Sequence, residues 1–520
     1  MPAIRWFGQT GLCKHKPVNV PCELGYTACM HRIRTAIALI VALLAGGAQG
    51  APIYQPPGAN LTYGDVSHGQ RALSAAGNPA AAAADLARGG GQAKGGANFS
   101  LVAGLEYGNV EELFEKIDEL AKIFKPTDPD GDSGEPPPPG QDPGNKPPGI
   151  DLPVDIGDLL DQLDPEMRAA VEAVKLGAVL ALIKVEGYGK LFVSGDVPVV
   201  IGKELLGGAW TFGINYSGTS KAFGISEAID FDFDEALQNL RDAIAADPGG
   251  MEPREIDLSG GFKLAIDPGN NRVQLGVEND SLLLTKAAII GEFGLGYSRQ
   301  VWATPRGALF LGGELKYYRM QLSRVSTRFG DVTDSSELFD SIRHAEFDSD
   351  NDFGFDIGAL WVTDRYSLGA TLTNVNKVKF RFPEIDTSDY TSGDIIAQLQ
   401  ADRTYQLEHQ VKLEGSIYSK NRRWTANIGL DANAVPDRMG DDFQWLTLSA
   451  GYATDSWWLP GARIGLRKNL AGTEFTYVGL GVTVFKIVNI DVASTLDTVE
   501  ISGTKLPQGL LLSIGFELGF

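Results

Sequence analysis

Cysteine is nearly absent from this chain of 520 residues. Its three cysteines are Cys13, Cys22 and Cys29, and all lie within the first 29 residues. If those residues are not part of the mature protein, it has no disulfide, no thiolate metal site and no cysteine nucleophile. No cysteine follows the first apolar run, which argues against a lipid anchor at a mature N-terminal cysteine.

Long hydrophobic runs are also scarce. The one strong candidate, residues 35–45 (TAIALIVALLA), is too short to cross a bilayer as a helix. The basic residues Arg32 and Arg34 precede it and small residues follow it, as in a secretory signal peptide. We therefore expect cleavage between Gly50 and Ala51.

These features divide the N-terminal part of the chain. Residues 1–29 have no signal pattern and are interpreted as an upstream, wrongly called start, whereas residues 30–50 are the predicted signal peptide. The alternative interpretation of the apolar run is a single membrane anchor.

Positive charge is in short supply. The full chain carries a formal charge of −21, and without residues 1–50 it has 40 basic and 65 acidic residues. Because nucleic-acid binding requires a basic surface, we expect no nucleic-acid partner.

Metal and cofactor signals are weak. His68, His344 and His409 have no ligand spacing, and an acidic stretch that begins at Asp128 has Ser133 and Pro139 where a calcium loop needs glycine and glutamate. Loose calcium binding there is the alternative to a solvated linker. No cofactor and no metal site are predicted.

Composition and predicted secondary structure change several times between residues 51 and 246. Residues 51–96 are rich in glycine, alanine and proline and have no sustained period. A helical insertion is predicted over residues 109–184, because apolar residues recur with a period of about 3.6 near 110–124 and a second helical stretch covers 164–184. Between the two helices lies a Pro/Gly-rich acidic linker, 126–153, which we expect to be mobile and without regular structure. A shorter helix is predicted over 232–246.

Strands of roughly ten residues dominate the rest of the chain, and this length suits a tilted membrane crossing. Apolar residues alternate with small or polar ones most clearly at the C-terminus. The apolar set there is Leu512, Ile514, Phe516, Leu518 and Phe520. One apolar and one polar face on each strand is the pattern of an outer-membrane barrel.

The connections between these strands alternate in length. Short turns such as 267–270, 304–307, 363–365, 420–422 and 486–488 separate long polar segments near 326–351, 383–402, 434–441 and 498–508. Barrels of the outer membrane have short periplasmic turns and longer external loops. The predicted fold is therefore all-β, an antiparallel transmembrane β-barrel of 14 to 16 strands over residues 97–520.

Six tryptophans support this fold because they fall beside the predicted short-turn ends of strands. They are Trp210, Trp302, Trp361, Trp424, Trp457 and Trp458. Indole rings favour the membrane–water boundary, so this placement predicts an aromatic girdle. A large soluble β-sandwich with aromatic corners is the alternative.

Two local patterns resemble known outer-membrane proteins. The C-terminal strand resembles the signal that the barrel-assembly machinery reads. Residues 69–80, which contain Asn78, Pro79 and Ala80, resemble the N-terminal hatch of the FadL family of hydrophobic-compound channels, although alanines follow where Gly-Leu is usual. This resemblance implies that residues 51–96 form a hatch inside the lumen. Because proline removes an N–H donor and restricts Asn78, we expect a kink there that could plug a lumen, and a plain turn before the first strand is the alternative.

The chain from about residue 60 to its end is also similar to a FadL-like set of barrels labelled conjugal transfer protein TraF. The similarity rests on the helical insertion and on segments 352–361, 366–376, 462–469 and 479–481. A thioredoxin-like protein with the same label does not resemble this strand-rich chain.

The resemblance implies a plugged outer-membrane channel for small hydrophobic compounds. The implied partners are outer-membrane lipid, the barrel-assembly machinery and a small hydrophobic ligand. The alternative is a non-transporting surface or structural barrel associated with conjugal transfer or mating contact. No nucleophile–base constellation is evident, so an enzymatic barrel such as a phospholipase or protease is not favoured.

Overall fold

The computed structural model describes residues 56–67, 71–88, 95–108, 149–153, 188–202, 205–227, 232–246, 254–267, 272–328, 345–401, 403–501 and 504–519. The predicted signal peptide with its cleavage site at Gly50 and Ala51 lies outside these residues, as do most of the helical insertion and Phe520.

Fourteen strands among the described residues form the barrel. The first seven are β1 (Gly96–Tyr107), β2 (Tyr188–Asp196), β3 (Ala209–Ile225), β4 (Leu282–Thr304), β5 (Gly307–Arg328), β6 (Asp348–Val362) and β7 (Tyr366–Thr373). The others are β8 (Gln410–Tyr418), β9 (Trp424–Asp431), β10 (Trp445–Tyr452), β11 (Gly461–Asn469), β12 (Thr476–Val484), β13 (Val488–Thr495) and β14 (Gly509–Gly519).

Every barrel strand pairs antiparallel with its neighbours in sequence. The sheet closes because β14 pairs with β1, from Gly96 opposite Gly519 to Glu106 opposite Gly509. A two-residue strand, Val199–Val200, continues β2 beyond Pro198, which has no N–H to donate. The predicted antiparallel barrel is confirmed, and its strand count is at the lower end of the expected range.

The two faces of the wall differ as a membrane barrel requires. Along β14 buried and exposed residues alternate, and the outward Leu512 and Leu518 are 59% and 54% exposed. Inward positions on the same wall carry buried polar groups, for example Ser513 and Asp491. The outer apolar face therefore suits lipid, and the inner face suits a polar lumen.

The connections are short at one end of the barrel and long at the other, and we call these the short-turn end and the long-loop end. β4–β5, β6–β7, β8–β9 and β12–β13 meet in tight turns at the short-turn end, as predicted. The turn predicted at 267–270 is different. It joins Phe262–Asp267 to Arg272–Val277 in a small separate sheet, three of whose four strands belong to the long β3–β4 connection. The pattern of a tight hairpin does not reveal which sheet the hairpin belongs to.

Aromatic side chains mark the short-turn end. Trp302 packs on Trp361 with ring centroids 5.7 Å apart, and Trp424 packs on Tyr452 at 4.9 Å. Trp458 is 82% exposed beside the β10–β11 turn. These positions form the aromatic girdle that the tryptophan pattern predicted.

The remaining elements belong to the connections or precede β1. The helices are α1 (Asn60–Tyr63), α2 (Arg71–Gly77), α3 (Ala81–Arg88), α4 (Phe233–Ala246) and α5 (Gly393–Ala401). Short strand pairs join Lys379–Arg381 to Thr404–Gln406, Val435–Pro436 to Asp442–Phe443, and Thr498–Ile501 to Thr504–Pro507. The small sheet contains Gly149–Pro153, Arg254–Asp257, Phe262–Asp267 and Arg272–Val277.

The connections agree with one expectation and differ from another. The helix predicted over 232–246 is present as α4. The expectation of no regular structure throughout 126–153 is wrong at its end, because Gly149–Pro153 pairs with Arg272–Val277. A proline at the end of an edge strand is compatible with pairing, so proline content alone overestimated the length of the linker.

Candidate functional site

Residues 56–67 and 71–88 lie against the inner wall of the barrel. The N–H of Gly58 donates to Ser513 Oγ on β14 at 2.7 Å, and Thr62 Oγ1 donates to Asp491 on β13 at 2.5 Å. Further along, the N–H of Ala83 donates to Ser298 Oγ on β4 at 3.1 Å. These partners lie on three strands of the inner wall, of which β4 is well separated from β13 and β14. We call residues 56–67 together with 71–88 the lumenal segment.

Asn78, Pro79 and Ala80 lie at the contact between the lumenal segment and the wall. Asn78 Nδ2 donates to Glu414 Oε1 on β8 at 2.6 Å and to the Ala359 carbonyl on β6 at 3.4 Å. Asn78 Oδ1 accepts the N–H of Ala80 at 2.9 Å, which closes a turn around the proline. The asparagine therefore joins the turn to two wall strands.

Glycines in the wall make room for this segment. A Cβ at Gly312 or Gly358 would overlap the turn at Pro79, and one at Gly465 would overlap the carbonyl oxygen of Thr62. Only glycine lets a second backbone approach a strand this closely. These positions were not predicted from the sequence, because glycine is common throughout the chain.

An ion pair also joins the lumenal segment to the wall. Asp65 lies 2.6 Å from Lys412 Nζ on β8. Burial raises the pKa of Asp65, but the nearby Lys412 ammonium outweighs it and the pKa is lowered overall. The carboxylate is therefore charged at neutral pH and holds the lysine.

Loops fold back onto the inner wall at the long-loop end. Phe380, Phe382 and Leu407, from the β7–β8 connection, pack with Ile290 and Met320 of the inner wall in one apolar cluster. Alternation along the strands cannot indicate this packing, since it depends on how a long connection folds back.

The β9–β10 connection adds charged contacts at the long-loop end. Asp441 forms ion pairs with Lys190 of β2, at 3.0 Å, and with Lys221 of β3. Burial raises the pKa of Asp441, but the two lysines together lower it to about 2. Arg438 Nη2 donates to Ser217 Oγ on β3 at 2.5 Å. This connection is therefore fixed to the opposite wall by charge.

A cavity of about 150 Å³ remains between the lumenal segment and these loops. Its lining is rich in charged and aromatic side chains, among them Asp65, Glu314, Lys316, Tyr405 and Trp445. It is the candidate site for a solute. Among the described residues, no three His, Cys, Asp or Glu side chains are grouped so that they could hold a metal ion.

The predicted assembly strand forms the closing edge of the barrel. Leu512, Ile514, Phe516 and Leu518 all point outward, and Phe516 lies opposite Phe99 of β1. Recognition of this strand by an assembly machinery stays a prediction.

The closed antiparallel sheet, the apolar outer face and the aromatic girdle define a β-barrel of the outer-membrane type. In the described part of the chain, no helix is long and apolar enough to span a membrane.

The particular family follows from the sequence. Residues 75–431 match the model of the family described as "F plasmid transfer operon, TraF, protein", and the chain belongs to this family. The predicted resemblance is thus confirmed.

Several solved barrels are similar to this chain at low identity. The monoaromatic hydrocarbon channel TodX, as a deletion mutant, is 10% identical with a TM-score of 0.37, over 86% of this chain and 94% of that one. A FadL homologue of Pseudomonas aeruginosa is 13% identical with a TM-score of 0.30, over 91% and 99%. The toluene transporter TbuX of Ralstonia pickettii is 10% identical with a TM-score of 0.28, over 91% and 99%. No curated protein matches the chain.

Proposed function

We propose that the protein is a gated channel of the outer membrane, in which residues 51–96 plug the lumen and a small solute crosses when this plug moves. The observation that carries the proposal is the set of contacts between the lumenal segment and strands around the barrel. A segment that contacts β4, β6, β8, β13 and β14 at once obstructs the lumen.

The nature of these contacts supports movement of the plug. They are hydrogen bonds, one ion pair and close packing on glycine, and the chain after Cys29 has no cysteine that could make them permanent. A neutral hydrogen bond contributes only about 1 kcal/mol net, so a few can be exchanged for contacts with water or solute.

Small hydrophobic compounds are the solutes that the sequence resemblance implies. Two apolar clusters contribute to the lining of the charged cavity. Ala75 belongs to the cluster with Leu86 and Phe310, and Leu407 belongs to the cluster with Ile290 and Phe380. Such patches would favour a molecule with apolar surface.

The second candidate is a barrel without transport, which acts at the cell surface in mating contact. The observation that favours it is the packing of the long loops across the lumen.

Uptake into liposomes separates the two functions. Proteoliposomes should take up fatty acids or small aromatics faster with the variant that lacks residues 51–96 than with the full chain. Heat-modifiable migration on gels verifies that the deletion variant is folded. Gly393→Ala serves as a control, because a Cβ added at this position would meet no other atom within 4 Å. Uptake no faster than into empty liposomes, by both folded proteins, would favour the surface role.

A further inference from the structure

Four carboxylates and one ammonium line the cavity, and we call them the carboxylate belt. Its members are Asp196, Glu292, Glu314, Asp356 and Lys316. Glu314 lies opposite Asp356 in the β5–β6 register, and a Cβ at Gly294 would collide with its carboxylate. Glycine in β4 thus provides the space for this charge.

The belt has more acidic than basic groups. Lys316 Nζ lies 2.8 Å from Asp356, 3.0 Å from Glu292 and 3.8 Å from Glu314. Asp196 faces the same cavity and is 5% exposed. Other basic side chains, Lys412, Arg438 and Arg467, also line the cavity, but within the belt one ammonium stands beside four carboxyl groups, so a further cation at the belt would stabilise their ionised forms.

A buried acceptor in the same place independently points to a missing donor. Asn215 lies between Asp196 and Glu292 in the register of β2, β3 and β4, lines the cavity and is 7% exposed. Its Oδ1 accepts no hydrogen bond. Buried polar groups in native proteins are paired almost without exception, so this oxygen is a site for an N–H donor.

Aromatic side chains also line the cavity. Tyr318 lies directly opposite Glu292 in the β4–β5 register. Tyr405 and Trp445 line the cavity as well, and the Arg467 guanidinium lies 4.3 Å from the centre of the Trp445 ring. Such rings accept both cations and apolar groups. Apolar contact with these rings is open to the body of an organic cation and not to a bare metal ion.

We propose that the carboxylate belt binds the ammonium or guanidinium head of a small organic cation, whose apolar body lies against the aromatic side chains of the cavity. Lys316 occupies the belt as a tethered ammonium when the ligand is absent. The proposal rests on the channel function for the route of the ligand, and it names the class of solute.

The test is equilibrium binding to the full mature chain in a nonionic detergent, with benzylammonium as probe and benzyl alcohol and benzoate as matched neutral and anionic probes. Benzylammonium should bind more tightly than either. Glu314→Gln should weaken its binding by about tenfold or more, because a buried charge partner is lost. Lys316→Met should strengthen it, since the tethered competitor is removed. Glu255→Gln, at an exposed position in the small sheet, should have no effect.

The opposite signs of the two belt variants distinguish binding from general damage, and heat-modifiable migration verifies that each variant is folded. Equal affinity for benzylammonium and benzyl alcohol would overturn the proposal, as would weaker binding by folded Lys316→Met. Displacement of the probe by potassium ions at equal concentration would also overturn it, because the site would then be one for inorganic cations. Uptake of benzyl alcohol by the barrel that lacks residues 51–96 reports on the channel function alone. If this barrel takes up benzyl alcohol but the full chain does not bind benzylammonium selectively, only the proposed cation binding is refuted.

Discussion

At the scale of single residues, contact between the lumenal segment and the wall depends on glycines, which have no side chain. Gly312, Gly358 and Gly465 lie where a Cβ would overlap the segment. Asn78 could be singled out from the sequence because Asn-Pro is a local signal. The glycines could not, since their partners are hundreds of residues away in the chain.

Gly465→Ala tests this contact. The new methyl group would overlap the Thr62 carbonyl, so α1 must shift away from β11. We expect a folded barrel with faster solute uptake than the parent. Overpacking of this kind typically costs about 1–3 kcal/mol, comparable to a few of the hydrogen bonds that hold the segment. Liposome uptake measures the effect, with Gly393→Ala as control, and an unchanged rate would show that this contact does not limit the plug.

At the scale of elements, the strands were predictable and the folding of their connections was not. Alternation and turn signals located most of the strands between β4 and β14, because each strand has one apolar and one polar face. The β7–β8 and β9–β10 connections fold back over the lumen through contacts such as Phe380 with the wall and Asp441 with Lys190, which leave no periodic signal.

The ion pairs of Asp441 predict that the stability of the folded barrel depends on pH. Its folded pKa of about 2 lies below the ordinary 3.8, so the ion pairs stabilise the fold fully above about pH 4 and are lost as the pH falls through 2. This difference corresponds to about 2 kcal/mol. Asp441→Asn should lower the temperature at which the barrel loses its heat-modifiable form at pH 7, and the difference from the parent should fall to a small fraction of this near pH 2.

Asp364→Asn, in the exposed β6–β7 turn, is the control for this comparison and should match the parent at both pH values. A difference between Asp441→Asn and the parent that persists unchanged at pH 2 would mean that the carboxylate charge is not the cause.

The C-terminal strand predicts an effect on assembly. If Phe520 and the outward residues of β14 are read by the assembly machinery, deletion of Phe520 should reduce the amount of folded barrel without affecting export. Heat-modifiable migration of outer-membrane fractions measures the folded amount, and the total exported chain is the control. Normal yield of folded barrel would contradict the assembly role.

At the scale of the whole molecule, an even number of strands places the start of β1 and the end of β14 on one side of the membrane. If the short-turn end faces the periplasm, the connection between Tyr107 and Tyr188 is external. Protease added to intact cells should therefore cut within residues 127–148, where proline, glycine and acidic residues dominate. The turn at 304–307 should be cut only after the outer membrane is permeabilised. Linker cleavage that also requires permeabilisation would mean that the orientation is inverted.

The fold class and the position of the aromatic girdle followed from the sequence, because lipid imposes a strict pattern on the outer face. Residues that line the lumen follow no comparable sequence pattern. The carboxylate belt combines residues from β2, β4, β5 and β6, and only the register of the closed sheet brings Asp196, Glu292 and Glu314 together.

A reducible disulfide between the lumenal segment and the wall tests most directly whether this segment is the plug. A Cβ added at Gly479 would lie 3.7 Å from the Thr62 Cβ, which is close to the spacing in a disulfide. Because the chain after residue 50 has no cysteine, the double variant Thr62→Cys/Gly479→Cys has no other thiol with which these two could pair.

We predict that the disulfide forms in the outer membrane and that the oxidised protein takes up no solute in liposomes. A reducing agent should restore uptake to at least the parent level. The two single variants should not respond to the reducing agent. Equal uptake by the oxidised, fully cross-linked protein and its reduced form would contradict the account, because the segment would then not be the plug.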